Sequence, residues 1–315
     1  MKRPLIILTG PTAVGKTSLS IKLAKAVNAE IISADSMQVY KYMNIGTAKI
    51  TEEEKMGVPH YMIDELEPDE EFNVYVFKSK AEKYIEDIYS RGHIPMIVGG
   101  TGFYIQSIYK DIDFTETKTD HTYREELMKI AEEKGNQYVH DMLKKMDPVS
   151  AENIHMNNVK RVVRALEYYN QTGELMSQHN EEQSIKESPY NYVYFVLNDN
   201  RDILYDRINT RIDKMVEEGL INEVESLLKK GYNENLVSMQ GLGYKEIVPY
   251  IKGECTLEEA LYILKRDTRH FAKRQLTWFR RETDVTMLDI SEYGGDREEV
   301  YKKMLEILRE REITK

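Results

Sequence analysis

The chain has 315 residues, enough for one large or two modest domains at roughly 150 residues each. With 41% hydrophobic and 31% charged residues it has the makeup of a globular protein with a sizeable core, and its single cysteine, Cys255, excludes an internal disulfide and any multi-cysteine zinc site. A formal net charge of −10 argues against a protein that coats nucleic acid indiscriminately, while leaving room for a basic groove on one side.

The N-terminal apolar run is four residues long, too short for a signal sequence, and no other run approaches the ~20 residues of a membrane span. A cytoplasmic protein with no membrane partner, and a monomer, is expected. Residues 4–9, PLIILT, read as a short buried strand, and 17–27 carry apolar residues at helical spacing across a glycine-rich link. EIISA (30–34) is a second strand, 72–92 an amphipathic helix and IPMIVGG (94–100) a third strand. Alternating strands and helices imply a parallel sheet with right-handed crossovers.

From residue 111 to about 189 the pattern changes to three helix-like stretches, 121–135, 136–146 and 157–173, with no good strand among them. A strand returns at 190–197, with Asp199 placed to N-cap the helix that follows. Thr256 and Glu259 stand in capping-box spacing at the head of a long helix; 285–290 reads as a last strand and 296–311 as a terminal helix. The expected architecture is α/β: a P-loop NTPase-like parallel sheet core from 1–111 and 188–315, with a mostly helical insertion domain at 112–187.

GPTAVGKT, Gly10 to Thr17, has the spacing G-x-x-x-x-G-K-T between a strand and a helix, the context its mechanism requires. Gly10 and Gly15 let backbone amides converge on phosphate oxygens, Lys16 neutralises them, and the Thr17 hydroxyl can ligate Mg²⁺. The motif specifies a diphosphate-like group and nothing beyond it. Hydrolases with this loop usually carry an apolar strand ending in a magnesium-binding Asp. Here the third strand ends in glycines, and the strand that ends in an acid is the second, at Asp35. A lone Asp there is often a turn residue or N-cap, but at the carboxyl end of a strand beside the phosphate loop it faces the ligand crevice. Thr101, in GGTGFY, ends the third strand in the same crevice.

Arg207 and Arg211 stand at i, i+4 on one helix face, either a solvated surface or an arginine reaching a leaving phosphate. Lys265 to Arg281 holds seven Lys or Arg and one acid in 17 residues. Leu264, Phe271 and Trp278 recur as an apolar stripe, and Arg266, Lys273 and Arg280 recur about 200° round the helix. Such segregation in an acidic chain points to an anionic partner, polyphosphate or nucleic acid. A second basic face, Lys160, Arg161 and Arg164, falls in the helical insertion. None of the seven histidines sits in metal-binding spacing.

Taken together, GPTAVGKT, AEIISADSMQVY, IGTAK, VGGTGFY, NVKRVVRALE, GLGYKE and AKRQLTWFRRE resemble, in order, the motifs of the tRNA dimethylallyltransferase family over nearly the whole chain. The resemblance implies transfer of a dimethylallyl group from dimethylallyl diphosphate to the exocyclic amine of the adenosine 3′ to the anticodon, position 37. The anticodon stem-loop of tRNA is then the macromolecular partner. It implies that Gly10, Thr12, Ala13, Val14, Gly15, Lys16 and Thr17 hold the diphosphate, with Mg²⁺ on Thr17. Asp35 is implied as general base, with Thr101 and Arg211 at the reacting centre. It further implies tRNA contacts at Asp35, Ser36, Met37, Gln38 and Thr101, and at Lys160, Arg161, Val162, Val163 and Arg164. Two more such segments are Gln240, Gly241, Leu242, Gly243, Tyr244 and Lys245, then Lys273, Arg274, Gln275, Leu276, Thr277, Trp278, Phe279 and Arg280. The competing readings are a P-loop nucleotide or small-molecule kinase, in which Asp35 activates a hydroxyl, and a non-catalytic tRNA-binding module.

Overall fold

The computed structural model describes residues 2–114 and 122–314. The chain separates into two compact units, residues 1–109 with 189–315, and residues 110–188. In the first unit β1 (Arg3–Thr9), β2 (Ala29–Ala34), β3 (His60–Tyr61), β4 (Ile94–Gly99), β5 (Tyr190–Asn198) and β6 (Thr286–Asp289) form one sheet, ordered β3-β2-β4-β1-β5-β6. Every neighbouring pair is parallel. Leu5, Ile6, Ile7 and Leu8 of central β1 are fully buried, which is why that strand reads as an unbroken apolar run.

The helices of this unit before β5 are α1 (Lys16–Val27), α2 (Glu52–Lys55), α3 (Val74–Ser90) and α4 (Gly102–Tyr109). The second unit holds α5 (Thr122–Lys134), α6 (Asn136–Met146), α7 (Pro148–Asn153), α8 (Val159–Thr172) and α9 (Met176–Ser184). After β5 the first unit adds α10 (Arg201–Glu217), α11 (Leu220–Lys229), α12 (Ile247–Ile251), α13 (Leu257–Phe279) and α14 (Arg297–Glu310). No helix among the described residues is long and apolar enough to cross a membrane.

The elements follow from local chemistry. Asn73 caps α3 by accepting from Val76 N–H at 3.0 Å, and Phe77, Ala81, Ile85 and Ile88 form its buried face. Thr256 and Glu259 make the expected capping box at the head of α13. Three expectations change. The strand at 94–99 is the fourth, because the two-residue β3 precedes it, too short to show a periodicity. The cap of α10 is Asn200, whose Oδ1 accepts from Asp202 N–H at 2.9 Å; Asp199 is buried and held by Arg207 instead. On α13 the buried residues are Ala260, Leu264, Ala272, Gln275 and Phe279, while Phe271 and Trp278 are half-buried at the margin. A seven-residue stripe drifts about 20° per repeat on a straight helix, so it leaves the core face.

The helical unit has its own core, with Leu127, Val139, Leu143, Val162, Val163 and Leu166 buried together. Asp147 pins its shorter helices: it accepts from Ser150 N–H (3.0 Å), Ser150 Oγ (2.6 Å) and Ser177 N–H (3.0 Å). Burial alone would push this carboxyl up, but the hydrogen bonds from Ser150 and Ser177 outweigh it and hold its pKa below the usual 3.8. The unfolded carboxyl titrates near its ordinary value. Its stabilisation is therefore complete above that value and is lost as pH falls through the depressed folded one. Asp147→Ala should destabilise the helical unit by about 1–3 kcal/mol, by removing a cap and leaving its donors unpaired. Hydrogen exchange at α7 and α9 measures this, and unchanged protection there would refute it.

Candidate active site

Between β1 and α1 the backbone turns through positive φ at Gly10 (146°), Ala13 (63°) and Gly15 (98°), conformations that bring the loop round to the first turn of α1. Thr9 donates its hydroxyl to Gly99 O at 2.6 Å, fixing the ends of β1 and β4 to each other. Lys16 Nζ donates to the carbonyls of Gly10 and Pro11, each at 2.9 Å. Burial, reinforced by the Arg211 charge and opposed by Asp35, pushes the Lys16 ammonium down to about 8. Val14 is packed in the core and Thr17 is exposed. Lys16, Thr12, Ala13, Thr17, Asp35 and Arg211 line a cavity of about 310 Å³.

β2 delivers Asp35 to this cavity. Its Oδ1 accepts from the backbone N–H groups of Met37 (2.8 Å) and Gln38 (3.3 Å), and Oδ2 has no hydrogen-bond partner among the described residues. The Gln38 amide accepts from Ser33 Oγ at 3.2 Å and donates to Thr47 O and Ala48 O at 3.2 and 3.3 Å. A second cavity, also about 310 Å³, adjoins the first, with Thr12, Asp35, Thr47, Ala48 and Arg211 lining both. Ser36, Met37, Thr101, Phe271 and Arg274 wall this second space. Arg211 is exposed and lines both cavities. Crowding by surrounding protein, opposed by Glu54 and Asp35, lowers its guanidinium pKa. His60 also lines the first cavity; burial lowers its pKa from the usual 6.5, and its Nδ1 lies against Val58 O at 2.8 Å.

The turn after β4 is built around α13. Thr101 N–H donates to Ala34 O at 3.1 Å, tying this turn to the end of β2. Gln275 spans two loops: its Oε1 accepts from Thr12 N–H and its Nε2 donates to Gly100 O, both at 2.9 Å. A Cβ on Gly100 would collide with that amide, and a Cβ on Gly102 would collide with the Trp278 ring. Gly100 and Gly102 are therefore the complement of Gln275 and Trp278 in RQLTW, while Gly99 makes room for the Ala34 backbone.

The residues implied as tRNA contacts divide by exposure. Lys273, Arg274, Thr277 and Arg280 are exposed on α13, and Trp278 is half-buried beside them. Leu276 is half-buried, while Gln275 and Phe279 are buried, so their side chains pack inward. Gln240 and Lys245 are exposed and Leu242 is half-buried; Gly241 and Gly243 are buried. Tyr244 has no exposed surface and donates its hydroxyl to Glu223 at 2.7 Å. Glu223 in turn accepts from the N–H groups of Asn44, Ile45 and Gly46, clamping the segment that carries Thr47 and Ala48. In the helical unit Lys160 and Arg161 are exposed, Val162 and Val163 are core, and Arg164 bonds buried Glu167 at 2.8 Å.

The family model described as IPP transferase matches residues 38–282, and one described as isopentenyl transferase matches 3–69. The chain belongs to the IPP transferase family. Among its relatives, a tRNA dimethylallyltransferase of Lachnoclostridium phytofermentans is 61% identical over 313 residues, 99% of this chain and 100% of that one. The enzyme of the same name from Acetivibrio thermocellus is 51% identical over 95% of this chain and 96% of its own. A crystal structure of a tRNA isopentenylpyrophosphate transferase from Bacillus halodurans aligns with a TM-score of 0.73 at 44% identity, covering 99% of this chain and 98% of that one. A eukaryotic dimethylallyltransferase acting on tRNA gives 0.77 at 32% identity, covering 91% and 74%.

In this IPP transferase, sequence reasoning missed the Glu223 clamp and the role of Gln275 between the two loops. The lone glutamate carries no spacing signal, and the glutamine partners lie 263 and 175 residues away in sequence. Trp278 is the only tryptophan, which makes the Gly102 contact directly measurable. Gly102→Ala should push the ring outward, red-shift its emission, and destabilise the protein by about 1–3 kcal/mol through overpacking. Unaltered emission and melting temperature would show that the contact has slack.

Proposed function

We propose that this chain transfers a dimethylallyl group from dimethylallyl diphosphate to the exocyclic amine of the adenosine at position 37 of tRNA, releasing diphosphate. The observation that carries the reading is the position of Asp35. Its unpartnered Oδ2 belongs to a carboxylate lining two adjoining cavities, one with the phosphate loop and the other with Thr101 and the α13 residues Phe271 and Arg274.

An adenine amine is too weak an acid to ionise first. Its nitrogen attacks the allylic carbon as the carbon–oxygen bond to diphosphate breaks, and Asp35 takes the amine proton as general base. Charge growing on the departing diphosphate is met by Lys16, Arg211 and the loop amides. β4 ends in Gly99 and not in the acid that P-loop hydrolases use to hold magnesium, which favours prenyl transfer over a kinase. The amine is paired or stacked in an anticodon loop, so the base must be extruded to reach the carboxylate. Exposed Lys273, Arg274, Thr277, Arg280, Gln240 and Lys245 are the side chains assigned to the tRNA, with Lys160 and Arg161 of the helical unit. A tRNA substrate supports a cytoplasmic location for the protein.

Among the described residues no three His, Cys, Asp or Glu side chains converge on a metal position. The exposed Thr17 hydroxyl beside the phosphate loop fits a Mg²⁺ ion that takes most of its oxygens from diphosphate and water. Bound there, the ion would supply charge neutralisation to the leaving group.

Incubation with labelled dimethylallyl diphosphate and unmodified tRNA, followed by nucleoside analysis, tests the reading. Label should appear as N6-dimethylallyladenosine. Asp35→Asn keeps an oxygen for Met37 and Gln38 N–H but loses the base, so it should reduce turnover by about 10²-fold or more with tRNA binding retained. Equal loss of binding and turnover would remove Asp35 from that role.

Lys16 gives a second test. Its ammonium titrates at about 8 in the free protein, and an anion bound against it favours the charged form. The Lys16 contribution to diphosphate affinity should therefore weaken as pH rises through about 8, with a proton taken up by Lys16 on binding above that pH. Calorimetry in buffers of different ionisation enthalpy reads the proton, and Lys16→Ala should abolish its uptake.

A further inference from the structure

Two arginines one turn apart on α10 share the phosphate-loop cavity, and they are held in different ways. Arg211 makes no ion pair among the described residues and lines both cavities. Arg207 lines only the phosphate-side cavity, and its Nη1 donates to Asp199 Oδ2 at 2.5 Å. Asp199 is almost wholly buried immediately after β5, the strand paired with β1 on the side away from β4. Its other oxygen accepts from Asn200 N–H at 2.8 Å.

Burying a carboxylate is costly unless its partner is well placed, and this carboxylate's ion partner is a residue with 36% of its side chain still accessible. One of the five guanidinium N–H donors is spent on Asp199. The remaining donors have no protein partner among the described residues, and the residue that carries them faces the phosphate-loop cavity. A fixed planar fork of this kind suits two adjacent phosphate oxygens better than a mobile ammonium does. Nearby, Arg297 donates to Val14 O at 3.2 Å and packs against Gly15, adding a further positive charge to the same loop. Asp199 pairs with Arg207 and also attracts the Arg297 charge, which offsets the repulsion between the two arginines.

We infer that Arg207 is a second guanidinium ligand of the diphosphate and that Asp199 is the positioning residue that aims it. The inference rests on the proposed diphosphate at the phosphate loop. Arg207 does not line the second cavity, where Thr101 and the α13 residues stand, so it binds the diphosphate about equally in the bound substrate, the transition state and the released product. Arg211, beside Asp35, meets the charge that develops at the reacting bond. Loss of uniform binding raises KM and leaves kcat nearly unchanged.

Arg207→Ala should raise KM for dimethylallyl diphosphate and the inhibition constant of inorganic diphosphate together, by about 10- to 100-fold, with kcat within about threefold of wild type. Asp199→Asn should shift both constants in the same direction by a smaller factor, and Arg207→Lys should recover part of the loss. The affinity for tRNA should not move in any of them. If the pair only staples α10 to β5, all three variants will lower the melting temperature and leave both constants alone, and the inference is overturned. Calorimetry with inorganic diphosphate on wild type and Lys16→Ala separates the two levels. Wild-type binding lost in Lys16→Ala but intact in Arg207→Ala overturns only the role of Arg207. No Lys16-dependent binding at all overturns the diphosphate site itself.

Discussion

The site depends on one side-chain amide. Gln275 is buried on α13, and it satisfies a donor of the phosphate loop and an acceptor of the turn after β4 at once. Both are backbone groups near the centre of the sheet, where an unpaired amide or carbonyl costs about 1–3 kcal/mol. Replacing the amide by an apolar group would strand both. The bridge also ties the phosphate loop to the turn that carries Thr101. Gly100 supplies the room for it and Gly102 the room for Trp278, so the exposed basic face of α13 and the phosphate loop belong to one rigid arrangement.

Electrostatics makes this arrangement directional. The protein is acidic overall, yet Lys16, Arg207 and Arg211 converge on one cavity, and Arg297 braces the loop behind them. Burial and the neighbouring Arg211 charge lower the proton affinity of Lys16, and crowding by protein lowers that of Arg211. That disfavoured charge is what the proposed diphosphate would relieve. Among the described residues Asp35 is the one acid lining both cavities, and its turn leaves Oδ2 without a hydrogen-bond partner.

Much of this was legible from residues that are contiguous. GPTAVGKT announces its loop because the chemistry needs eight successive positions, and an acid closing an apolar strand beside it is conspicuous in the same way. The three long helices of 110–188 were readable from their periodicity, whereas α9 buries no residue and offers no pattern to read. What could not be read are pairings across the chain. Asp199 looked like a helix cap because the residue before a helix usually is one; only the fold places Arg207 above it and moves the cap to Asn200. Tyr244 sits in a loop whose wording suggests a surface, but its hydroxyl is drawn inward by Glu223, and sequence gives no hint that this glutamate holds three successive amides.

The sheet's outline has a further consequence. Its two outermost strands, β3 and β6, are two and four residues long, against six to nine for those inside. A long flat margin of unpaired N–H and C=O groups would recruit strands from other chains, and margins this short offer too few rungs to do so. The interior strands β1, β2 and β4 end at the phosphate loop, Asp35 and the turn before Thr101, while the flanks of the sheet offer few rungs for edge-to-edge pairing.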